Sequence, residues 1–340
     1  MRAAPLFWEK PPGLTAHLLA PASTVWSAAG RLRRALAQPY HPAVPVVCVG
    51  NLVVGGAGKT PVALALSAWL QQRKIAVHVV SRGYGGRLRG PVQVDPARHD
   101  AIAVGDEALL HAARSPSWIA RDRVAGVGAA VAAGAQLVLL DDGFQNPTVA
   151  KTLSVIVIDA AYGLGNSRVI PAGPLREAFG DGLARADAVV LLAGSEAAGG
   201  AEPVPLPGDR PVIPAMVAPV MGERLVGSRL YAFSGIGRPQ KFYATLRALD
   251  VDLVRTRDFP DHHLFRAAEI EALRRAAERA GARLVTTAKD IVRLPAALRT
   301  GIEVLEVEVR WSDPEALERL MTSVLIAVHG ERSEPAAHSG

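Results

Sequence analysis

Residues 44–70 read VPVVCVGNLVVGGAGKTPVALALSAWL, and the elements that this segment predicts indicate the fold class. The short apolar run 44–49 is typical of a buried β-strand. The glycine-rich segment 55–60 follows it, and the apolar spacing beyond predicts a helix over 58–72. A strand, a glycine-rich loop and a helix in this order predict a phosphate-binding loop.

The loop has the residue types that hold a nucleotide triphosphate. Glycines let backbone N–H groups approach phosphates closely, and the start of the helix adds its dipole. We expect Lys59 to reach the β- and γ-phosphates and the Thr60 hydroxyl to ligate Mg²⁺. Val53 stands where the common pattern has glycine, so the loop is a variant. The predicted nucleotide-binding residues are Val53, Val54, Gly55, Gly56, Ala57, Gly58, Lys59 and Thr60.

A second apolar run, 136–140, ends in Asp141 and Asp142. Acidic residues at the end of a strand are where enzymes with phosphate-binding loops hold Mg²⁺ or its water shell. We therefore predict a metal site formed by Thr60, Asp141 and Asp142. By itself a pair of aspartates at a strand end also fits a turn or a helix cap.

The alternation of apolar runs with helical segments predicts an α/β fold with a mainly parallel sheet. Further strands are predicted at 76–80, 154–158 and 188–192, and a glycine- and proline-rich stretch, 193–219, indicates a boundary. A second unit has predicted strands at 230–233, 251–254, 284–287 and 302–309 and helices at 240–249, 267–280 and 314–328. We divide the chain into an N-terminal helix (1–40), a core domain (41–225), a smaller α/β domain (226–330) and a disordered tail (331–340).

The N-terminal segment, 5–37, is amphipathic. Apolar residues recur at helical spacing, and Pro21 is expected to break or kink the helix. Such a segment fits a helix lying in a membrane interface, with Trp8 and Trp26 at headgroup depth and three arginines, Arg31, Arg33 and Arg34, on anionic lipid. A helix that packs on its own domain gives the same pattern.

Composition limits the classes of function. The 340 residues carry a net charge of +6, which is compatible with anionic lipid, a phosphorylated substrate or nucleic acid. The aromatic fraction is only 5%, and no basic and aromatic residues alternate, so nucleic-acid binding is disfavoured. The single cysteine, Cys48, excludes an internal disulfide and a zinc site built from several thiolates.

Two motifs offer acid–base groups for phosphoryl transfer to a hydroxyl. Gly105-Asp106-Glu107 begins a helical segment, and a second run, 258-DFPDHH-263, lies in the second unit. An aspartate oriented by a histidine accepts a proton, and such a contact would join the two units. Taken alone, Asp106 also fits a helix N-cap, and His262 and His263 also fit surface loop residues.

A series of short motifs in a fixed order resembles the tetraacyldisaccharide 4′-kinases, the lipid A 4′-kinases of Gram-negative bacteria. The matching segments are 50-GNL-52, 55-GGAGKTP-61, 81-SRGYGG-86, 104-VGDE-107, 141-DDGFQ-145, 171-PAGPLRE-177, 234-SGIG-237, 260-PDH-262 and 286-TTAKD-290. Each motif is modestly specific, but nine in the right order are highly specific.

The resemblance implies a kinase that uses ATP and Mg²⁺ and phosphorylates the 4′-hydroxyl of a tetraacyldisaccharide 1-phosphate, a lipid A precursor. It implies a peripheral enzyme on the cytoplasmic face of the inner membrane, with an N-terminal helix on that anionic surface. It also implies that Asp106 is the catalytic aspartate, that His262 is its partner and that Glu177 belongs to the catalytic site. The residues expected to contact substrate or phosphate are Arg82, Gln145, Arg176 and Lys289.

The chain departs from the family pattern at Arg238, where asparagine is common, at Ala288, where glutamate is common, and at Asn146. Two other classes of protein fit parts of the sequence. A nucleotide-dependent carrier or metallochaperone would also have a phosphate-binding loop, but the chain lacks a cysteine-rich metal motif. A membrane-interaction module with a vestigial nucleotide fold is disfavoured because Lys59, Thr60, Asp141 and Asp142 are all present.

Overall fold

The computed structural model describes residues 5–194 and 210–330, which form two sheets, one mainly and one entirely parallel. The strands are β1 (Val46–Gly50), β2 (Val77–Ser81), β3 (Val92–Gln93), β4 (Ser117–Ile119), β5 (Leu137–Asp141), β6 (Leu153–Asp159), β7 (Ala188–Ala193), β8 (Val212–Pro219), β9 (Arg229–Ser234), β10 (Asp252–Asp258), β11 (Arg283–Thr287), β12 (Ile302–Leu305) and β13 (Val307–Trp311). The helices are α1 (Leu14–Ala35), α2 (Lys59–Gln72), α3 (Ala101–Val104), α4 (Asp106–Ala112), α5 (Arg123–Ala132), α6 (Phe179–Arg185), α7 (Pro239–Arg247), α8 (Ala267–Arg279), α9 (Ala288–Ile291) and α10 (Pro314–Gly330). The predicted α/β class is confirmed.

The larger sheet has the order β13-β8-β7-β6-β1-β5-β2-β4-β3. Only its outermost pairs, β13 with β8 and β3 with β4, are antiparallel. β1 pairs with β5 on one side and with β6 on the other. The order of the strands along the chain therefore changes direction at β1. Ligands of open α/β sheets bind at the carboxyl ends of the strands at such a switch point, and here the glycine-rich loop follows β1.

Both faces of the larger sheet are covered by apolar layers. Alternate residues of β1 point to opposite sides: Val47 and Val49 pack in one buried cluster, and Val46 and Cys48 pack in the other. A parallel strand buried on both faces is apolar throughout, which explains the uninterrupted run in the sequence.

The smaller sheet has the order β10-β9-β11-β12, with all strands parallel. α7 and α8 cover it with separate apolar clusters around Tyr243 and Phe233. The chain passes from the larger sheet to the smaller one after β8 and returns directly after β12, because β13 pairs with β8.

This return differs from the sequence-based division of the chain. The single strand expected over 302–309 is two strands in different sheets, and α10 packs on the core domain rather than on the smaller domain. The glycine- and proline-rich stretch contains β8 at its end, whereas its residues 195–209 and the tail 331–340 lie outside the described residues. The division at residue 226 stays a prediction.

Helix α1 continues through Pro21 without a break. Ser23 Oγ donates to the carbonyl of Val169 at 2.7 Å, and Trp26 Nε1 donates to that of Arg176 at 2.9 Å. These bonds fasten the helix to the core domain after the proline.

One other expectation for the N-terminal segment is wrong. Trp8 is buried and bonded to the carbonyl of Pro171 rather than free at a membrane surface. The three arginines have partners in the protein: Arg31 pairs with Asp181, Arg33 with the carbonyl of Gln145, and Arg34 with Glu177. Their contact with anionic lipid stays a prediction. No described helix, in residues 5–194 or 210–330, has the length and apolarity needed to cross a membrane.

The membership of α10 in the core domain predicts the effect of Leu317→Ala. Leu317 is 1% exposed in the same cluster as β1, so the cavity should lower the free energy of unfolding by about 2–5 kcal/mol in urea. Ile326→Ala, on the same helix but 66% exposed, is the matched control and should change it by about 0.5 kcal/mol at most. Equal effects would contradict this packing.

Candidate active site

The glycine-rich loop adopts a backbone that only glycine permits at its last turn. Gly58 has φ +82°, and a Cβ there would lie 2.2 Å from Leu192 Cδ2. α2 begins at the next residue, so Lys59 and Thr60 are its first residues. The predicted arrangement of strand, loop and helix is present.

The beginning of the loop is tied to the segment that contains Arg176 and Glu177. Val53 is buried and forms a β-bridge with Leu175, and Val54 N donates to the carbonyl of Pro174 at 2.8 Å. The backbone of the loop therefore holds Arg176 next to the phosphate-binding residues.

Lys59 and Arg176 both approach Asp142. Lys59 Nζ lies 3.7 Å from Asp142 Oδ1, and Arg176 Nη1 donates to the same oxygen at 2.8 Å. Burial raises the pKa of Asp142, but the two cations lower it by more. Burial lowers the pKa of Lys59, and Asp142 partly offsets this. Two cations around one carboxylate are suited to binding further negative charge, such as phosphate.

Gln145 extends this cluster to Glu177. Its Nε2 donates to the carbonyl of Asn51 at 2.9 Å and to Glu177 at 3.3 Å, and its Oε1 accepts from Arg176 at 3.4 Å. Glu177 is 3% exposed and is also paired with Arg34 and Arg185. The sequence analysis missed Arg34 and Arg185 as partners, since neither has a motif of its own.

Asp141 is oriented differently from Asp142. His111 Nε2 and Asp141 Oδ2 are 2.8 Å apart, and both residues are buried. Asp141 Oδ1 is buried without a hydrogen-bond partner. An orphaned carboxylate oxygen next to a phosphate-binding loop fits a cation, because burial without a partner is costly.

The described residues contain no group of three histidine, cysteine or carboxylate side chains that could hold a metal by itself. Mg²⁺ in such sites takes one or two protein oxygens and completes its shell with substrate phosphates and water. Thr60 and the free oxygen of Asp141 therefore fit the predicted ion, and Asp142 is engaged by cations.

Asp106 and His262 meet between the two domains. Asp106 Oδ2 lies 3.3 Å from His262 Nδ1. α4 begins at Asp106 because Gly105 turns the chain with φ +87°, and a Cβ there would meet the carbonyl oxygen of Tyr84 at 2.3 Å. His262 has φ +58°, a strained value for a residue with a side chain, and its ring lies against that of Tyr84.

Arg293 contacts the same carboxylate and was missed by the sequence analysis. Arg293 Nε donates to Asp106 Oδ2 at 2.8 Å, and Nη2 also bonds this oxygen. Arg293 lies three residues after Asp290, a spacing that predicts a local ion pair. This pair is present, with 3.1 Å between Arg293 Nη1 and Asp290 Oδ1. No local pattern could indicate the partner 187 residues away.

Lys289 and Glu107 form a second contact between the domains, at 2.6 Å. Burial lowers the pKa of Lys289, but Glu107 and Asp106 together raise it by more. Glu107 also interacts electrostatically with Lys59, so the two groups of site residues are close enough to feel each other's charge. The structure thus brings together Lys59, Asp142, Gln145, Arg176 and Glu177, and across the domain contact Asp106, His262 and Lys289.

Arg82 has an exposed side chain, and its contact with substrate or phosphate stays a prediction. The departure at Arg238 has a structural partner. Arg238 Nη1 donates to the buried Asp159 at 3.1 Å and its guanidinium lies 3.5 Å from the centre of the Tyr162 ring. It therefore adds a contact between the smaller domain and the end of β6.

A phosphate-binding loop at the switch point of a parallel sheet, with an aspartate–histidine contact supplied partly by a second domain, defines a class: nucleotide-dependent phosphotransferases. Comparison with known proteins then gives the family. A family model described as tetraacyldisaccharide-1-P 4′-kinase, LpxK, matches residues 15–326. The chain belongs to this family.

Similar proteins support the assignment over nearly the whole chain. A tetraacyldisaccharide 4′-kinase of Rhodospirillum centenum is 52% identical over 328 residues, which are 95% of this chain and 96% of that protein. One of Dinoroseobacter shibae is 51% identical, over 92% of this chain and 95% of that protein. A solved structure described as the "apo" form of LpxK from Aquifex aeolicus in complex with ATP is 25% identical, with a TM-score of 0.75, and covers 92% of this chain and 99% of that one.

The predicted family and the predicted enzyme class, a kinase, are therefore confirmed. The carrier or metallochaperone alternative is not supported, because the relatives are kinases over almost their full length.

The position of Lys59 predicts the effect of Lys59→Ala. Removing the cation beside Asp142 should lower kcat for phosphoryl transfer by on the order of 10²–10³-fold, because the developing phosphate charge loses a preorganised contact. The control is Lys74→Ala, exposed just beyond the other end of α2, which should keep wild-type kcat. Near-wild-type turnover by Lys59→Ala would refute this role.

Proposed function

We propose that this protein transfers the γ-phosphoryl group of ATP to the 4′-hydroxyl of a tetraacyldisaccharide 1-phosphate, a step in lipid A biosynthesis. The family and the names of the relatives support the reaction, and the related structure described with ATP supports the nucleotide. The observation that carries the proposal is the 3.3 Å contact between Asp106 and His262, next to Glu107, whose charge interacts with that of Lys59.

In this proposal the loop binds the phosphates of ATP with its backbone N–H groups. Lys59 and Arg176 neutralise the charge that spreads over the transferring group. Asp142 holds these two cations in place before the nucleotide binds, at 3.7 and 2.8 Å. Gln145 fixes the position of Arg176 directly, and Glu177 does so through its bond with Gln145.

Mg²⁺, when bound, neutralises phosphate charge and orients the γ-phosphoryl group. Thr60 and Asp141 are the residues that would hold it. His111 keeps Asp141 turned so that one oxygen stays free of protein partners.

Asp106 accepts the proton of the sugar hydroxyl. Burial raises the pKa of Asp106, but His262 and Arg293 lower it by more, so the carboxylate is ionised and a weak base. A weak base suffices because the transition state is loose and the proton leaves late. His262 orients the carboxylate and steadies its charge.

The pairing of Asp106 with His262 predicts non-additive effects. Asp106→Ala and His262→Ala should each lower kcat by on the order of 10²-fold or more, and the double variant should be little worse than the more damaging single change. The measurement is transfer of label from γ-labelled ATP to the tetraacyldisaccharide lipid. The dissociation constant of ATP should change little, since neither residue belongs to the loop.

His263→Ala is the control for this pair. His263 packs against Phe259 and bonds Glu269 at 2.9 Å, so its loss should lower the melting temperature and leave kcat near wild type. Multiplicative losses at Asp106 and His262 would refute the pairing, and label released only to water would refute the substrate.

We further propose that the protein binds the cytoplasmic surface of the inner membrane through α1. Four apolar residues of this helix, Leu14, Leu18, Val25 and Leu32, and its C-cap residue Leu36 are 60–76% exposed. They are separated by four or seven residues, a spacing that returns to the same side of a helix. A continuous exposed apolar stripe marks an interaction surface, and a lipid precursor as substrate favours the membrane as the partner.

Other contacts of α1 hold the active site. Trp26 bonds the carbonyl of Arg176, and Arg34 pairs with Glu177 at 3.2 Å. One helix therefore contacts both the proposed membrane surface and the residues that would hold the transferring phosphoryl group. This arrangement supports delivery of the lipid substrate directly from the bilayer.

The stripe is tested with the triple variant Leu18→Gln/Val25→Gln/Leu32→Gln. Each buried apolar side chain gains about 1.5–3 kcal/mol, so the variant should sediment with anionic liposomes at least about tenfold less and keep its ATP affinity. The matched control is Val226→Gln/Leu264→Gln/Ile326→Gln, three exposed apolar residues elsewhere, which should sediment as the wild type does. Equal losses in both variants would contradict a specific membrane face.

A further inference from the structure

The guanidinium of Arg293 is buried at the contact between the two domains. Its side chain is 2% exposed, and that of Asp106 is 4% exposed. Two nitrogens of Arg293, Nε and Nη2, donate to Asp106 Oδ2. The third, Nη1, donates to the carbonyl of Gly235 at 2.6 Å and to Asp290 at 3.1 Å. One side chain of the smaller domain thus forms two hydrogen bonds to a carboxylate of the core domain.

The smaller domain fixes the direction of Arg293 by itself. Asp290 is fully buried and accepts hydrogen bonds from Ser234 Oγ, Gly235 N and Thr287 Oγ1, at 2.9, 2.9 and 2.7 Å. These donors come from the ends of β9 and β11, so the carboxylate is locked to the smaller sheet. Arg293 is held between this carboxylate and the Gly235 carbonyl, and a planar guanidinium so held presents its remaining donors in one direction.

We infer that Arg293 is a positioning residue for phosphoryl transfer: it orients Asp106 when the smaller domain lies against the core domain. The inference deepens the proposed function, because it rests on Asp106 as the group that accepts the hydroxyl proton. Arg293 acts through Asp106 and is therefore not itself a catalytic residue.

The geometry explains why Asp106 needs such a partner. Asp106 Oδ1 accepts a bond from the N–H of Glu107 at 3.0 Å, which alone leaves the other oxygen unrestrained. Arg293 and His262 both reach Oδ2, and Arg293 Nη2 lies 3.5 Å from His262 Nδ1. Both partners come from the smaller domain, so the carboxylate has its full set of contacts only while the domains are together.

The two partners differ in what they contribute. His262 sits on a strained backbone and is 24% exposed, whereas Arg293 is buried and permanently charged. The other charged or titratable groups around the pair are Glu107, Lys289, Asp290, Asp261 and Tyr84. Glu107 is already paired with Lys289, and Asp261 lies on the far nitrogen of His262 at 3.8 Å.

Loss of the guanidinium should change the pH dependence of the reaction. Burial raises the pKa of Asp106, and His262 and Arg293 lower it by more. Without Arg293 the pKa of Asp106 is therefore higher than in the wild type. During acidification the carboxylate of the variant becomes protonated at a higher pH. The acidic limb of kcat against pH should move to higher pH, a change that a purely structural role for Arg293 would not produce.

The experiment compares Arg293→Met and Arg293→Lys in the full-length protein. Arg293→Met should lower kcat by about a hundredfold and move the acidic limb upward, with the KM for lipid and the dissociation constant of ATP little changed. Arg293→Lys keeps the charge but loses the planar fork, so it should lower kcat about tenfold and leave the acidic limb near its wild-type position. Because Arg293→Met also leaves Asp290 without its partner, the melting temperature is recorded for both variants. If Arg293→Met does not fold, the lysine variant decides: wild-type kcat there would overturn the inference.

Two further variants separate the inference from the proposed function. Arg274→Met removes an arginine that bonds only carbonyls within the smaller domain, at 2.9 and 2.6 Å, and should keep the wild-type pH profile. Adding Arg293→Met to Asp106→Ala should lower kcat no further, since Arg293 acts through Asp106. A further loss there, or a wild-type acidic limb in Arg293→Met, overturns the inference alone. Wild-type kcat in Asp106→Ala overturns the proposed role of Asp106 and the inference with it.

Discussion

The parallel pairing of β1 with β5 on one side and β6 on the other determines where the charged residues of the core domain lie. Carboxyl ends of parallel strands share one edge, so the glycine-rich loop after β1, the aspartates after β5 and Asp159 at the end of β6 share that edge. These strands are buried on both faces, and their apolar side chains hold this edge rigid. The smaller domain then needs only to approach one edge to complete the site.

The charged side chains at that edge follow one pattern. Each buried carboxylate has cationic or hydrogen-bonding partners, and two of the carboxylates are each paired with two cations. Lys59 and Arg176 share Asp142, and Arg34 and Arg185 share Glu177. A surplus of cations suits a ligand that carries phosphate, because the negative charge of the ligand balances the positive charge that the carboxylates leave uncompensated. Asp141 shows the opposite imbalance: one of its carboxylate oxygens is buried without a protein partner, and a metal ion would supply the missing positive charge.

Ion pairs also connect the two domains. Lys289 with Glu107, Arg293 with Asp106, and Arg238 with Asp159 connect the smaller domain to loops and helix ends around the site. Ion pairs depend steeply on distance and on exclusion of water. The contacts that connect the domains are therefore also the contacts that orient Asp106 and Glu107.

The sequence alone established the α/β class and the kinase family, and it predicted the glycine-rich loop and most of the candidate site residues. All of these depend on local spacing: apolar runs, glycines at a turn and short motifs in order. Only the tertiary structure decided that β13 and α10 return to the core domain, that Trp8 and the N-terminal arginines bind the protein itself, and that Arg293 reaches Asp106. Residues 106 and 293 are separated by most of the chain, and no periodicity or motif relates them. Burial and charge complementarity in the packed structure determine such partners, and neither can be read from local sequence.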